Sequence, residues 1–235
     1  NKLEMAIVDQ VKILEDKGYR IAYGAIRVKG FPFTINLEIE DALIEAPAPV
    51  AASLNINGIL RGRASITSPT HVSFEADQGV DIKTSLLGDD NNTILQSRGL
   101  SAIMPLPMPL KDFNITFHDV HIASLNLKSK TLSLGLKLHE SDRALDLYSF
   151  AMPHIDPGIK LVAGLPQIID QIQANLSLKG RVRVDIPLDQ VVTQWYETNG
   201  SADIGLLSVQ WGDLKVNTNG TLSLDEALQP LAAFS

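Results

Sequence analysis

The residue types that do chemistry are sparse in this chain and rarely grouped. Its five histidines are His71, His118, His121, His139 and His154, and only His118-Asp119-Val120-His121 sets two imidazoles close enough to suggest a metal pair. On a regular strand, residues three apart face opposite sides. The expected role is therefore two polar strand-end side chains, with no metal bound. Asp89-Asp90-Asn91-Asn92 is rich in oxygen ligands, but it lacks the spacing and the downstream glutamate of a calcium loop and reads as a solvated turn. Glu38 and Glu40 form the nearest approach to a carboxylate pair. They alternate with apolar residues and read as the wet face of a strand. No G-x-S-x-G elbow, phosphate loop or dinucleotide fingerprint occurs. There is no cysteine, which excludes disulfides, thiolate metal sites and cysteine nucleophiles. The expectation is a protein that is not an enzyme and carries no cofactor.

The elements around these residues are dominated by one repeated phrase, in which apolar and polar residues alternate and end in glycine. It reads Ile26-Arg27-Val28-Lys29-Gly30, Leu54-Asn55-Ile56-Asn57-Gly58 and Leu176-Ser177-Leu178-Lys179-Gly180, with a looser copy at Val216-Asn217-Thr218-Asn219-Gly220. Period-two alternation describes strands with one buried and one wet face, and the glycines mark bends, bulges or turns. The cleanest stretch is Phe33, Ile35, Leu37 and Ile39, alternating with Thr34, Asn36, Glu38 and Glu40. Leu132, Leu134, Leu136 and Leu138 form a second such row.

Residues 2–17 read as an amphipathic helix ending at Gly18, with Leu3, Ile7, Val11 and Leu14 on one side. Gly30-Phe31-Pro32-Phe33 interrupts the first long strand region. Ala46-Pro47-Ala48-Pro49 reads as a stiff connector and Met104-Pro105-Leu106-Pro107-Met108-Pro109 as a polyproline-like one. A helical insertion is expected over 142–173, with Asp142 capping a helix over 143–151 and Leu161, Leu165, Ile168, Ile169 and Ile172 marking a second. Leu188–Tyr196 reads as a short helix capped by Asp189, and Trp211-Gly212 as the turn of a hairpin. The resulting fold class is mainly β. It is a long curved antiparallel sheet, a groove or a partly closed barrel, with an N-terminal amphipathic helix and the insertion around 142–173. It forms a single elongated domain over 1–235 with a sub-boundary near 150–175.

Hydrophobic residues make up 45% of the 235, but aromatics only 6%, so aliphatic side chains must build the interior. The net charge is -7, and no basic stripe interrupts it, which argues against nucleic acid as a partner. No run of about 18 apolar residues is present. The chain starts abruptly in a helix, and the expectation is that a targeting or anchoring segment has been removed.

The last forty residues carry the most specific pattern. Trp195-x4-Gly200, Leu207-x3-Trp211-Gly212-x-Leu214, Gly220-Thr221-Leu222-Ser223-Leu224-Asp225 and Leu228-Gln229-Pro230, with Gly30-Phe31-Pro32-Phe33 near the start, resemble an uncharacterised family of alphaproteobacterial envelope proteins. Asn199-Gly200 stands where that family often has two glycines. The resemblance implies a periplasmic body held at the inner membrane by an anchor and names no activity. In texture the chain is also similar to AsmA-like envelope proteins, which use long curled sheets as lipid grooves. The expected function is binding or carrying a lipid or other apolar molecule, with Phe33, Ile35, Leu37, Ile39, Leu132, Leu134, Leu136 and Leu138 as the lining. The alternative is a scaffold or assembly subunit of an envelope complex, with protein partners in the envelope.

Overall fold

The computed structural model describes residues 2–16, 18–30, 33–46, 52–65, 70–84, 93–105, 112–123, 126–139, 144–158, 164–179 and 188–235. Gly180, Pro47–Pro49, Asp89–Asn92, Pro107–Pro109, Asp142 and the Phe31-Pro32 pair lie outside them, as does the side chain of Leu138. Helix α1 spans Lys2–Glu15. The N–H of Gly18 donates to the Glu15 carbonyl and that of Tyr19 to the Leu14 carbonyl, the paired closure expected of a helix ending in glycine. The helix packs against β1 (Arg20–Ala22) and β2 (Ile26–Lys29) at the first edge of the sheet.

The strands that follow are β3 (Thr34–Glu45), β4 (Ala52–Ser65), β5 (His71–Ala76), β6 (Val80–Thr84), β7 (Thr93–Ser97), β8 (Gly99–Pro105), β9 (Asp112–Ile122), β10 (Leu127–His139), β11 (Ala144–Ile155), β12 (Ile169–Lys179), β13 (Ser201–Trp211), β14 (Leu214–Leu224) and β15 (Pro230–Phe234). Helix α2 (Leu188–Glu197) precedes β13, and Asp189 is its second residue. All the described pairings are antiparallel, and they join the strands into one sheet. The mainly β, antiparallel class expected from the alternation therefore holds.

The helical insertion does not. Residues 144–155 and 169–179 are β11 and β12, paired from Ser149↔Asn175 to Ile155↔Ile169. Pairing on both sides overrides the weak helical spacing of the leucines and isoleucines there. Met104 and Pro105, expected in a polyproline stretch, instead end β8, where Pro105 pairs with His71.

Two compact units divide the chain. The first comprises 1–107 and 117–124, the second 108–116 and 125–235. In the first, β1 with β2, β5 with β6 and β7 with β8 each lie end to end along a single neighbour. Ile21 and Ile26 share β3, while Ala76 and Val80 both lie along β4. The core of this unit is made by Ala42, Ile56, Ala76, Val80, Leu95, Ala102, Phe117 and Val120. That of the second is made by Leu132, Met152, Ile155, Ile169, Ala174 and Ala202.

Candidate functional site

In the first unit the registers place side chains in transverse rows, and the rows alternate in character. Ile26, Ile39, Leu60, Ala76 and Leu100 form one row; Val28, Leu37, Gly62, Phe74 and Ala102 form the next; Ile35, Ala64, Val72 and Met104 form a third. Between them run Arg27, Glu38, Arg61, Glu75 and Ser101, then Lys29, Asn36, Arg63, Ser73 and Ile103. One side of this sheet is thus aliphatic. The other is a ladder of alternating charge, with Arg27 bonded to Glu40, Lys29 to Glu38 at 3.1 Å and Arg61 to Asp77 at 2.9 Å. The Asp77 hydrogen bond raises the Arg61 pKa, and the same bond lowers that of Asp77. Both groups are solvated, so the ladder acts mainly to keep this face wet.

Every strand of this unit is interrupted at the same level. The break between β1 and β2 is bridged by Gly24 N–H to the Glu40 carbonyl. β3 slips register between Glu40 and Ala42, with Asp41 at φ +49°. β4 passes through Gly58 at φ +74°, and the β5–β6 break contains Gly79 at φ +120°. The β7–β8 break is Arg98, whose N–H donates to the His118 carbonyl and whose guanidinium lies 3.5 Å from Asp119, itself at φ +51°.

These breaks keep the aliphatic side continuous. In β3 the apolar positions change from Ile35, Leu37 and Ile39 to Ala42 and Ile44, because the alternation shifts by one at Asp41, which alone stands opposite Asn57 and Gly58 of β4. The same shift occurs from Leu95 and Ser97 to Leu100 and Ala102, and from Phe117 to Val120 and Ile122. Beyond the line the apolar rows resume as Ala42, Ile56, Val80 and Ser97, then Ile21, Ile44, Leu54, Ile82, Leu95 and Ile122. Bulges bend a strand and increase its twist, and here they are aligned across the sheet. The row Ala42, Ile56, Val80 and Ser97 beside the line is buried throughout, whereas Val28, Ile35, Leu37, Ala64, Val72 and Met104 further out are only half-buried.

The second unit repeats the scheme. Leu134, Phe150, Ala174, Leu207 and Thr218 form one row, and Met152, Ile172, Val209 and Val216 another. Past register slips at Gly135/Leu136, Asn175/Leu176 and Ile204/Leu207 come Leu176, Ile204, Gly220 and Phe234, then Leu178, Ala202, Leu222 and Ala232.

The expected lining residues divide between the two units. Ile35, Leu37 and Ile39 lie half-buried in the aliphatic rows of the first, while Phe33 precedes β3 and is 70% exposed. In the second unit Leu132 is core at 5% exposure, and Leu134 and Leu136 are half-buried. Sequence reasoning missed Asp41, Arg98 and Asp119. Their signal is the change of apolar positions from odd to even within one strand.

The bulge at Asp119 also corrects the expectation for the histidine pair. His118 Nε2 lies 3.0 Å from Ser101 Oγ, and His121 is the register partner of Gln96 in the row of Asn55 and Asp81. Both imidazoles are therefore on the polar side, because the alternation of β9 shifts by one at Asp119, between the buried Phe117 and Val120. His121 Nε2 is buried without a hydrogen-bond partner. Among the described residues no group of three or more His, Asp or Glu is placed to hold a metal ion.

The residues of the C-terminal signature serve architecture. Trp195 lies over Gly200, where a Cβ would collide with the indole, and its Nε1 donates to the Lys179 carbonyl at 2.8 Å. Trp211 Nε1 donates to the Pro166 carbonyl at 2.6 Å, and Gly212 N–H to Asp170 Oδ2 at 2.7 Å, tying the β13–β14 turn to the segment before β12. Asp225 Oδ1 accepts from the N–H groups of Ala227 and Gln229 and shapes the turn into β15. Gly220 leaves room for the Ala233 carbonyl and the Phe234 ring. Near the start, Gly30 closes the β2–β3 turn through Thr34 N–H to its carbonyl.

No curated protein and no solved structure matches the chain. A family model does match, over residues 1–235, and it is described as an uncharacterized protein conserved in bacteria (DUF2125). The chain belongs to this family of bacterial proteins.

Proposed function

We propose that this chain is a non-enzymatic protein of the bacterial periplasm, held at the inner membrane by an anchor, that binds or carries a lipid or other apolar molecule on the aliphatic side of its sheet. One observation carries the reading: the aliphatic rows are continuous, yet among those of the first unit only the row Ala42, Ile56, Val80 and Ser97 is buried at every position, and most side chains of the others are half-buried. Half-buried aliphatic side chains leave apolar surface that an acyl chain can remove from water. Each methylene contributes about 0.8 kcal/mol, so a dozen contribute roughly 10 kcal/mol before association costs. Such binding is non-directional, which fits a face with no charged residue in its rows. The periplasmic location rests on the resemblance of the C-terminal motifs to a family of envelope proteins.

The test is native mass spectrometry and solvent extraction of protein purified from bacterial cells, together with displacement of an apolar fluorescent probe. Co-purifying lipid, with probe uptake reduced in folded Leu37→Asp and Leu134→Asp variants, is the expected result. Absence of lipid together with no displacement of the probe overturns the reading. A second reading, a scaffold or assembly subunit of an envelope complex, is favoured by the exposed last strand, β15. It predicts a stoichiometric protein partner in pull-downs.

A further inference from the structure

β15 is the last strand in the sheet order, and no described residue pairs with its outer edge. All five of its residues, Pro230-Leu231-Ala232-Ala233-Phe234, are exposed, and Leu231 and Phe234 are each 54% exposed. From Ala227 to Ser235 there is no charged residue. Edge strands that must stay single are normally protected by shortness, charged side chains, bulges or proline; β15 is short but has no charge and no bulge, and its one proline stands at its first position.

The pairing with β14 fixes which backbone groups are free. Asn219 and Ser235 exchange both of their hydrogen bonds, and Asp225 N–H donates to the Gln229 carbonyl. In an antiparallel ladder, alternate residues face the neighbour. The odd residues 229, 231, 233 and 235 therefore turn to β14, and Pro230, Ala232 and Phe234 turn outward. Proline lacks an N–H, so the outward edge offers carbonyls at all three positions and donors only at Ala232 and Phe234.

We propose that β15 pairs antiparallel with β15 of a second copy of this chain, about a two-fold axis at Ala232. In that register the two Ala232 residues exchange both hydrogen bonds, and each Phe234 N–H donates to the Pro230 carbonyl of the other copy. A register centred on Pro230 sets two donorless residues against each other and is disfavoured, so the proline selects the alignment. A C2 contact of this kind is self-complementary, and the absence of charge removes like-charge repulsion across the axis. Pro230, Ala232 and Phe234 belong to the same rows as Leu224, Leu222 and Gly220. The pairing therefore extends the aliphatic side of the second unit into the partner copy.

The absence of cysteine gives a clean test. Residues opposite each other in a hydrogen-bonded antiparallel pair have Cα atoms about 5.5 Å apart, within disulfide reach. Ala232→Cys is expected to cross-link rapidly under mild oxidation, while Ala227→Cys in the exposed turn is not. In sedimentation velocity the unmodified chain is expected to dimerise with rising concentration. Ala232→Pro removes only an outward N–H, and is expected to leave a monomer with the circular dichroism and melting behaviour of the parent. An unmodified chain that stays monomeric, a dimer that survives Ala232→Pro, or equal cross-linking of the two cysteine variants overturns the proposal. A monomer that instead binds a strand of another protein overturns it in the same way.

Discussion

The backbone N–H of Gly58 donates to Asp41 Oδ1 at 2.8 Å, across the point where β3 and β4 slip register by one residue. Both residues have positive φ. Asp41 stands alone in β3 opposite Asn57 and Gly58, and the alternation of β3 shifts there by one. Gly58 bends β4 beside it without shifting the alternation. The hydrogen bond fastens the two, so the line of breaks across the first unit has a defined chemical fastening at its centre.

Gly58→Ala tests that fastening. A side chain at φ +74° costs about 1–2 kcal/mol, and its Cβ would fall on the Gln78 carboxamide. Urea denaturation is expected to show a lower midpoint with an unchanged slope. A neutral result would show that the bend does not depend on this residue.

Asp41→Asn keeps an acceptor and a residue tolerant of left-handed geometry, whereas Asp41→Ala keeps neither. The alanine variant is expected to lose about 1–2 kcal/mol and the asparagine variant clearly less. Thermal melts of the pair distinguish loss of the bond from loss of charge.

At Gly200 the constraint is steric. Gly200→Ala drives a methyl into the Trp195 ring, and overpacking of this kind costs roughly 1–3 kcal/mol. Fluorescence of a Trp211→Phe background, which leaves Trp195 as the sole tryptophan, is expected to shift to the red. Unshifted emission would place the ring elsewhere. Trp211→Phe alone loses the bond to Pro166, worth about 1 kcal/mol.

The acid side of the stability profile has a contributor in Asp156. The Gly158 N–H, first, and then the Gln167 carboxamide and the Lys128 charge hold its pKa below the ordinary carboxylate value, against a smaller opposing effect of burial. A carboxyl whose folded pKa is depressed contributes stability above the unfolded value of about 3.9 and loses it as pH falls through the folded one. Asp156→Asn is therefore expected to be less stable than the parent near neutral pH, with the gap closing below about pH 4. The group is solvated, so the effect is small. Melting temperatures of both proteins across that range check the sign.

Much of this fold was legible because its physics is local. Ile35, Leu37 and Ile39 alternate with Asn36, Glu38 and Glu40 in sequence, and the structure places them on opposite sides of β3. Gly18, Gly30 and Trp211-Gly212 marked a helix end and two turns that exist. Residues 144–155 and 169–173 were misread because Leu161, Leu165, Ile168, Ile169 and Ile172 fit a helical period, while what decides them is strand pairing with β10, with β13 and with each other, which a local period does not contain. Of the candidate site, the aliphatic rows were visible as separate strands. Their continuity was not, since it depends on Asp41, Arg98 and Asp119, polar residues that look like defects in the alternation. The histidine pair was misjudged for the same reason: the rule of opposite faces for residues three apart holds only on a strand whose alternation is unbroken, and that of β9 breaks at Asp119.

The aligned breaks have a further consequence for how this chain tolerates change in length. Asp41 acts as a phase shift of one residue in β3. Deleting it would let Ala42 and Ile44 alternate regularly after Ile39 and Glu40, still on the aliphatic side, but would move them along β4 and set Ile44 in the place of Ala42 opposite Ile56. The same holds for Arg98 and Asp119. Single-residue deletions at these solvated, charged positions are thus expected to be more damaging than many substitutions in the core, and homologous chains should keep the number of residues there even where the identity drifts.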